Sequence, residues 1–244
     1  MPRFFVKREY ITEDEIKITG DGAYHIARSL RMATGDAVTV SDGEGAEYLC
    51  TLTLIRDEEC VCKINSVRES KSEPKSKITL FMGYPKGDKL ETVVQKAVEL
   101  GACRIVPFES SRCIKRPKAE KIEKSTERLN RIALEAAKQS GRGIIPTVFS
   151  PVSFDKMIEE AKKCALALFC YEDERGRTVK DIISGIPCPE TIACIVGPEG
   201  GFSPEEADSV LDAGISSVSL GGRILRCETA PDFILSALSY EFEL

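Results

Sequence analysis

Ile192-Ala193-Cys194-Ile195-Val196-Gly197-Pro198-Glu199-Gly200-Gly201 is an apolar run that breaks directly into a glycine loop. A strand buried on both faces reads as such a continuous run, and glycines at its end let the backbone turn tightly and come close to a neighbour. Ser203-Pro204-Glu205-Glu206 follows and has the pattern of a capping box, with serine at the N-cap and proline at the first helical position. The plan is repeated at Ser217-Val218-Ser219-Leu220, then Gly221-Gly222, then Arg223-Ile224-Leu225-Arg226-Cys227-Glu228-Thr229-Ala230, with Thr229 expected to cap the terminal helix. A glycine loop before a helix ordinarily takes a phosphate. Here Glu199, Glu205 and Glu206 crowd the first loop, so a neutral or cationic ligand is expected. Neither G-x-G-x-x-G nor the P-loop pattern occurs.

Outward from this stretch, strand-like and helix-like segments alternate from Ile78 onward. Strands are predicted at 78–83, 104–108, 147–149, 165–170, 191–196 and 217–220, and helices at 88–100, 118–140, 154–163, 178–184, 204–213 and 230–242. Such alternation predicts a mostly parallel α/β sheet with helices on both faces, whose ligands sit beyond the carboxyl ends of the strands. From Arg3 to about Ser70 the pattern is short and β-like (Ile16–Ile18, Ala37–Ser41, Tyr48–Ile55, Glu59–Ile64), with a hairpin signal at Asp42-Gly43-Glu44-Gly45. It predicts a small barrel with a helical turn or two at 22–30. The polar, proline-containing 70–77 reads as the linker, which gives residues 1–72 and 73–244 as domains.

The net charge of -5 excludes a general nucleic-acid coat, so any such contact must be local. Two zones qualify. One spans Arg112 to Arg142, with Lys or Arg at 112, 115, 116, 118, 121, 124, 128, 131, 138 and 142 against Glu at 120, 123, 127 and 135. The other comprises Arg3, Lys7, Arg8, Arg28 and Arg31. The first also reads as a solvated helix face with i,i+4 pairs. Ten cysteines without a C-x-x-C pair and a single histidine, His25, make a poor metal set, so no metal is expected and the thiols read as buried and reduced. The first residues show no hydrophobic signal region and no run is long enough to span a bilayer; a cytoplasmic protein is expected.

The phrases Ile195-Val-Gly-Pro-Glu-Gly-Gly201 and Leu220-Gly-Gly-Arg-Ile-Leu-Arg-Cys-Glu-Thr-Ala230 resemble the knotted SPOUT-class RNA methyltransferases, and within that class the RsmE family. The likeness extends to Tyr84–Glu91, Gln95–Gly101, Ser111-Arg112-Cys113, Gln139–Arg142 and His25–Met32, in the same order. It implies a deep trefoil knot in the C-terminal domain and a PUA-like N-terminal domain. It also implies methylation of N3 of one uridine in 16S ribosomal RNA of the small ribosomal subunit, with S-adenosylmethionine as cofactor and a homodimer as the working unit. Carried onto this chain, the cofactor residues are Phe169, Tyr171, Gly197, Pro198, Glu199, Gly200, Leu220, Gly221, Ile224, Leu225 and Thr229. RNA contacts fall on Arg3, Arg8, Arg28, Arg31, Arg112, Arg142 and Arg223.

Methylating N3 requires loss of its proton and stabilisation of charge moving onto O2 and O4. Arg226 is assigned to the second task. The proton acceptor stays open among water, a backbone group and Glu228. Cys227 stands where the family often has threonine, and Pro231 where small residues are usual. The alternatives are an RNA-binding protein that kept this fold without catalysis, a methyltransferase acting on another RNA nucleotide, and a nucleotide-dependent α/β enzyme, the last weakened by the acidic loop.

Overall fold

A computed structural model describes residues 1–114 and 119–244. The chain divides into two compact units, one of residues 1–73 with 137–145, the other of residues 74–136 with 146–244.

The first unit holds strands β1 (Arg3–Phe5), β2 (Glu15–Thr19), β3 (Ala37–Ser41), β4 (Ala46–Ile55) and β5 (Glu59–Glu69) in the order β1-β3-β4-β5-β2. Alternation places Ile16 and Ile18 of β2 inward and their neighbours outward. They meet Phe4, Val38, Val40, Leu52, Cys60 and Cys62 in one core, around which the sheet curls. Helix α1 (Asp21–Tyr24) runs on as a π-turn through Ser29 and buries Ala23 and Ile26 in the same core. β3 and β4 form the expected hairpin around 42–45. The short strand β1 was not evident in the sequence; it pairs parallel with β3, Arg3 opposite Thr39.

The supposed linker is partly built into this unit. Ser72 Oγ donates to the Gly141 carbonyl (2.8 Å), and Glu73 accepts from Arg142 and from the Gly143 N–H (2.7 Å) and Ile144 N–H (3.1 Å). This corrects the placing of Arg142 among surface RNA contacts. Arg142 is 2% exposed as a whole residue and its guanidinium closes on Glu73 at 2.6 Å, so it offers no surface to a phosphate. The Arg3 guanidinium donates to Glu47 (2.7 Å) and to the Arg142 carbonyl (3.2 Å).

The second unit holds, in chain order, β6 (Lys77–Gly83), α2 (Lys89–Glu99), β7 (Arg104–Glu109), α3 (Ala119–Ser140), β8 (Thr147–Val148), β9 (Val152–Ser153), α4 (Phe154–Ala161), β10 (Leu166–Cys170), α5 (Val179–Ile183), β11 (Thr191–Val196), α6 (Pro204–Asp212), β12 (Ser216–Val218) and α7 (Thr229–Phe242). The end of α3, from Ala137, belongs to the first unit. The sheet runs β12-β10-β11-β6-β7-β8, with β9 beside β7, and every one of these pairs is parallel. β11 lies between β10 and β6, and Ile192 to Ile195 are fully buried, as the unbroken apolar run requires. Each such Ile side chain contributes about 1.5–3 kcal/mol by leaving water. Ala193 and Ile195 share a cluster with Phe81, Phe169, Met157 of α4 and Val210 of α6. α6 begins with the expected capping box, Ser203 and Glu206 each accepting from the other's backbone.

Thr229 is not an N-cap. The chain is already turning at Arg226, whose carbonyl accepts from the Thr229 N–H (2.8 Å) and the Ala230 N–H (3.0 Å), so Thr229 is the first helical residue.

Candidate active site

β10, β11 and β12 lie side by side and parallel, so the loops leaving their carboxyl ends converge. These loops, 170–175, 196–201 and 219–230, surround a cavity of about 430 Å³, to which Lys89 of α2 adds one wall. That volume is within the range of small-molecule sites, roughly 300–1,000 Å³.

The glycines serve this pocket in two ways. A Cβ on Gly201 (φ +64) would fall 1.7 Å from Glu172 Oε1, an oxygen that also accepts the Phe202 N–H at 3.2 Å. A Cβ on Gly197 would meet the Phe202 ring at 2.8 Å, and one on Gly200 the Arg112 carbonyl at 2.9 Å. These three make room for protein, locking one loop against its neighbours. Gly221 (φ +110) is the open one, with no atom within 4 Å of its Cβ position. There the glycine supplies a backbone conformation that other residues resist.

One side of the cavity carries a group of charges. Lys89 Nζ lies 2.9 Å from Glu199 Oε1 and 3.4 Å from Glu228 Oε2. The Cys227 thiol donates to Glu228 (3.2 Å), and the Lys86 N–H donates to Glu199 (3.1 Å). Burial pushes the Glu199 carboxyl up, but hydrogen bonds from Lys89 and the backbone outweigh it and leave the group below its ordinary range. The Glu228 carboxyl is held low by its own backbone N–H, then by Cys227 and Lys89. The hydrogen bond to Glu199 raises Lys89. Burial, with Glu228 second, pushes the Cys227 thiol up to about 12. At neutral pH the group is two carboxylates, one ammonium and a neutral thiol, net negative and suited to a cation.

Of the residues expected to hold a cofactor, Tyr171, Gly197, Pro198, Glu199, Gly200, Leu220, Gly221, Ile224 and Leu225 line the cavity, together with Arg223, Arg226 and Glu228. Two do not. Phe169 is wholly buried in the core, stacked on Tyr171 at 5.2 Å and edge-on to Phe202 at 4.7 Å, so it supports the wall from behind. Thr229 stands just outside, in the first turn of α7. Glu172 lines the site beside Tyr171, and Lys89 and Arg175, which the sequence does not single out, line it as well. Lys89 had one legible oddity, a lysine at the first position of a helix, where the macrodipole disfavours a cation.

Arg226 is exposed, and its guanidinium has no ion pair among the described residues. Arg112 donates to the Gly200 carbonyl at 3.2 Å, tying the loop after β7 to the pocket. In the first unit Arg8 donates to Tyr48 Oη (2.6 Å), Arg28 grips Asp57 through two nitrogens, and Arg31 is exposed at φ 51. Lys115, Arg116 and Lys118 of the basic stretch lie outside the described residues. Among the described residues no cluster of three or more His, Cys, Asp or Glu could hold a metal, and no helix is long and apolar enough to cross a membrane.

The family model of an RNA methyltransferase domain matches residues 71–239, and that of an RNA methyltransferase PUA domain matches residues 18–65. The ribosomal RNA small subunit methyltransferase E of Bacillus subtilis is 32% identical over 251 residues, covering 100% of this chain and 98% of the relative. This chain belongs to the small-subunit ribosomal RNA methyltransferase E family. The family protein of Mesomycoplasma hyopneumoniae is 34% identical over 97% of this chain and 98% of its own. The solved structure of the Neisseria gonorrhoeae family member, bound to S-adenosylmethionine, superposes with a TM-score of 0.85 at 28% identity, covering 98% of this chain and 97% of that one. A Legionella pneumophila structure that also holds S-adenosylmethionine gives 0.84 at 33% identity, over 98% and 96%. Membership in the methyltransferase E family gives the glycine-lined pocket its context.

Proposed function

We propose that this protein transfers a methyl group from S-adenosylmethionine to N3 of one uridine in 16S ribosomal RNA. The observation that carries the reading is the convergence of the three loops after β10, β11 and β12 on a single cavity with the Glu199 and Glu228 carboxylates on one side, in a chain of the methyltransferase E family. The fit to the cofactor rests on the cavity itself. Its backbone is open at Gly221, apolar contact is available from Leu220 and Leu225, and Glu199 and Glu228 favour a sulfonium.

When bound, S-adenosylmethionine supplies an electrophilic methyl group. The chain supplies orientation and charge. Arg226, with its guanidinium free at the cavity edge, stabilises negative charge developing on the uracil carbonyl oxygens, and its planar fork suits two oxygens better than a point charge would. Glu228, kept ionised, accepts the N3 proton. Ile224, 82% exposed beside Arg223, offers an apolar face to a base taken out of its stack.

The reading extends to the cytoplasm and to a homodimer, the latter supported by Phe233 and Tyr240 standing exposed on α7. It takes residues 73–244 as a trefoil-knotted catalytic domain. It takes residues 1–72 as the module that grips RNA phosphates through Arg8, Arg28 and Arg31, and it takes Arg112 and Arg223 as RNA contacts of the second unit. Incubating the purified protein with cofactor and small-subunit RNA, then sequencing the modified nucleotide by mass spectrometry, tests it. N3-methyluridine at one position is the expected product.

A further inference from the structure

We propose that Lys89 is a positioning residue that clamps two walls of the pocket, the 197–201 loop through Glu199 and the start of α7 through Glu228, into one register. The proposal rests on the methyltransferase reading above. Its basis is geometric. A single ammonium reaches carboxylates from two loops, at 2.9 Å and 3.4 Å, with Cys227 Sγ a further 3.9 Å contact on the second loop. Lys89 belongs to neither loop; it projects from the first turn of α2, where its charge opposes the helix dipole. Glu199 and Glu228 offset that cost.

Without the ammonium, the two carboxylates on this side of the cavity would be left close together and repel. The loop that binds cofactor and the turn that carries Arg226 and Glu228 would then move independently. With it, closing the first loop on cofactor sets the second for substrate. The residual negative charge still complements a sulfonium.

The test compares wild type with Lys89→Met, Lys89→Arg and Lys89→Met/Glu199→Gln. S-adenosylmethionine affinity is read by calorimetry, single-turnover methylation at saturating cofactor by rapid quench, and folded fraction by circular dichroism. The clamp predicts that Lys89→Met weakens cofactor binding about tenfold and slows the saturated step by about another tenfold, as expected for coupled contacts. Lys89→Arg, which can still bridge both carboxylates, restores each to within about threefold. The double variant binds no more than about threefold worse than Lys89→Met, because the same contact is removed twice. Should Lys89→Met not fold, Glu199→Gln must show the tenfold loss of affinity by itself. Near-normal affinity and rate in Lys89→Met overturn the clamp, as do losses that track only the folded fraction, an arginine variant as impaired as the methionine one, or additive losses in the double variant. Wild type that fails to bind S-adenosylmethionine overturns the functional reading together with the clamp. Normal wild-type binding with an unaffected Lys89→Met overturns the clamp alone.

Discussion

Replacing Gly201 with alanine should damage cofactor binding out of proportion to the one methyl group added. The backbone there is left-handed, at φ +64, and the new Cβ would lie 1.7 Å from Glu172 Oε1. An alanine held in that region costs about 1–2 kcal/mol. Moving Glu172 aside also forfeits its hydrogen bond from the Phe202 N–H, worth about 1.5–3 kcal/mol for a charged acceptor. If the loop relaxes to avoid a penalty of about 3 kcal/mol, the binding-competent population falls and apparent affinity drops by roughly 10². Calorimetric titration of Gly201→Ala with S-adenosylmethionine measures this directly. Adding Glu172→Ala removes the collision but also the same hydrogen bond from the Phe202 N–H, so the double variant should bind no worse than Gly201→Ala alone. A Gly201→Ala dissociation constant within about threefold of wild type would refute the reasoning, since that is well under 1 kcal/mol. So would a double variant weaker than the single one.

Arg226→Ala should leave cofactor affinity nearly intact and slow single-turnover methylation by about 10² to 10³, with Arg226→Lys recovering little; stopped assays beside thermal melts separate this from a packing role. Arg142→Ala should destabilise the protein by about 3 kcal/mol, because Glu73 is left in a largely buried site without its cation, and urea unfolding followed by fluorescence or circular dichroism reads the shift. A loss under about 1 kcal/mol would return Arg142 to the surface class. Iodoacetamide at pH 8 should alkylate the exposed Cys188 and spare Cys227, whose thiol is pushed up to about 12 by burial and by Glu228, and peptide mass spectrometry would show which is labelled.

The local features of this chain were legible in its sequence. The β11 run, the Ser203 capping box and the strand-helix rhythm after Ile78 each follow from short-range pattern, and each is found within a few residues of its expected bounds. What was not legible depends on residues far apart in the chain. Arg142 looked like the end of a basic helix because its partner, Glu73, sits in a stretch that reads as linker. β1 is three residues long and finds its place only by pairing with β3. Phe169 is carried over as a pocket residue by its position near the end of β10, but its ring lies one step back on the same face as Tyr171, packed in the core, and leaves the cavity wall to Tyr171. Lys89 was missed because its two carboxylates come from loops more than a hundred residues away that only the parallel order of the sheet brings to it.

The central claim is methyl transfer to uracil N3, and one measurement meets it head-on. Small-subunit ribosomal RNA from a strain lacking the gene, incubated with the purified protein and isotopically labelled S-adenosylmethionine, is digested and sequenced by mass spectrometry. The account predicts label on the base of a single uridine, at N3, absent when Arg226→Ala replaces the wild-type protein in a short incubation. Label on a ribose oxygen, label on another base, or no incorporation by a protein that demonstrably binds the cofactor would contradict it.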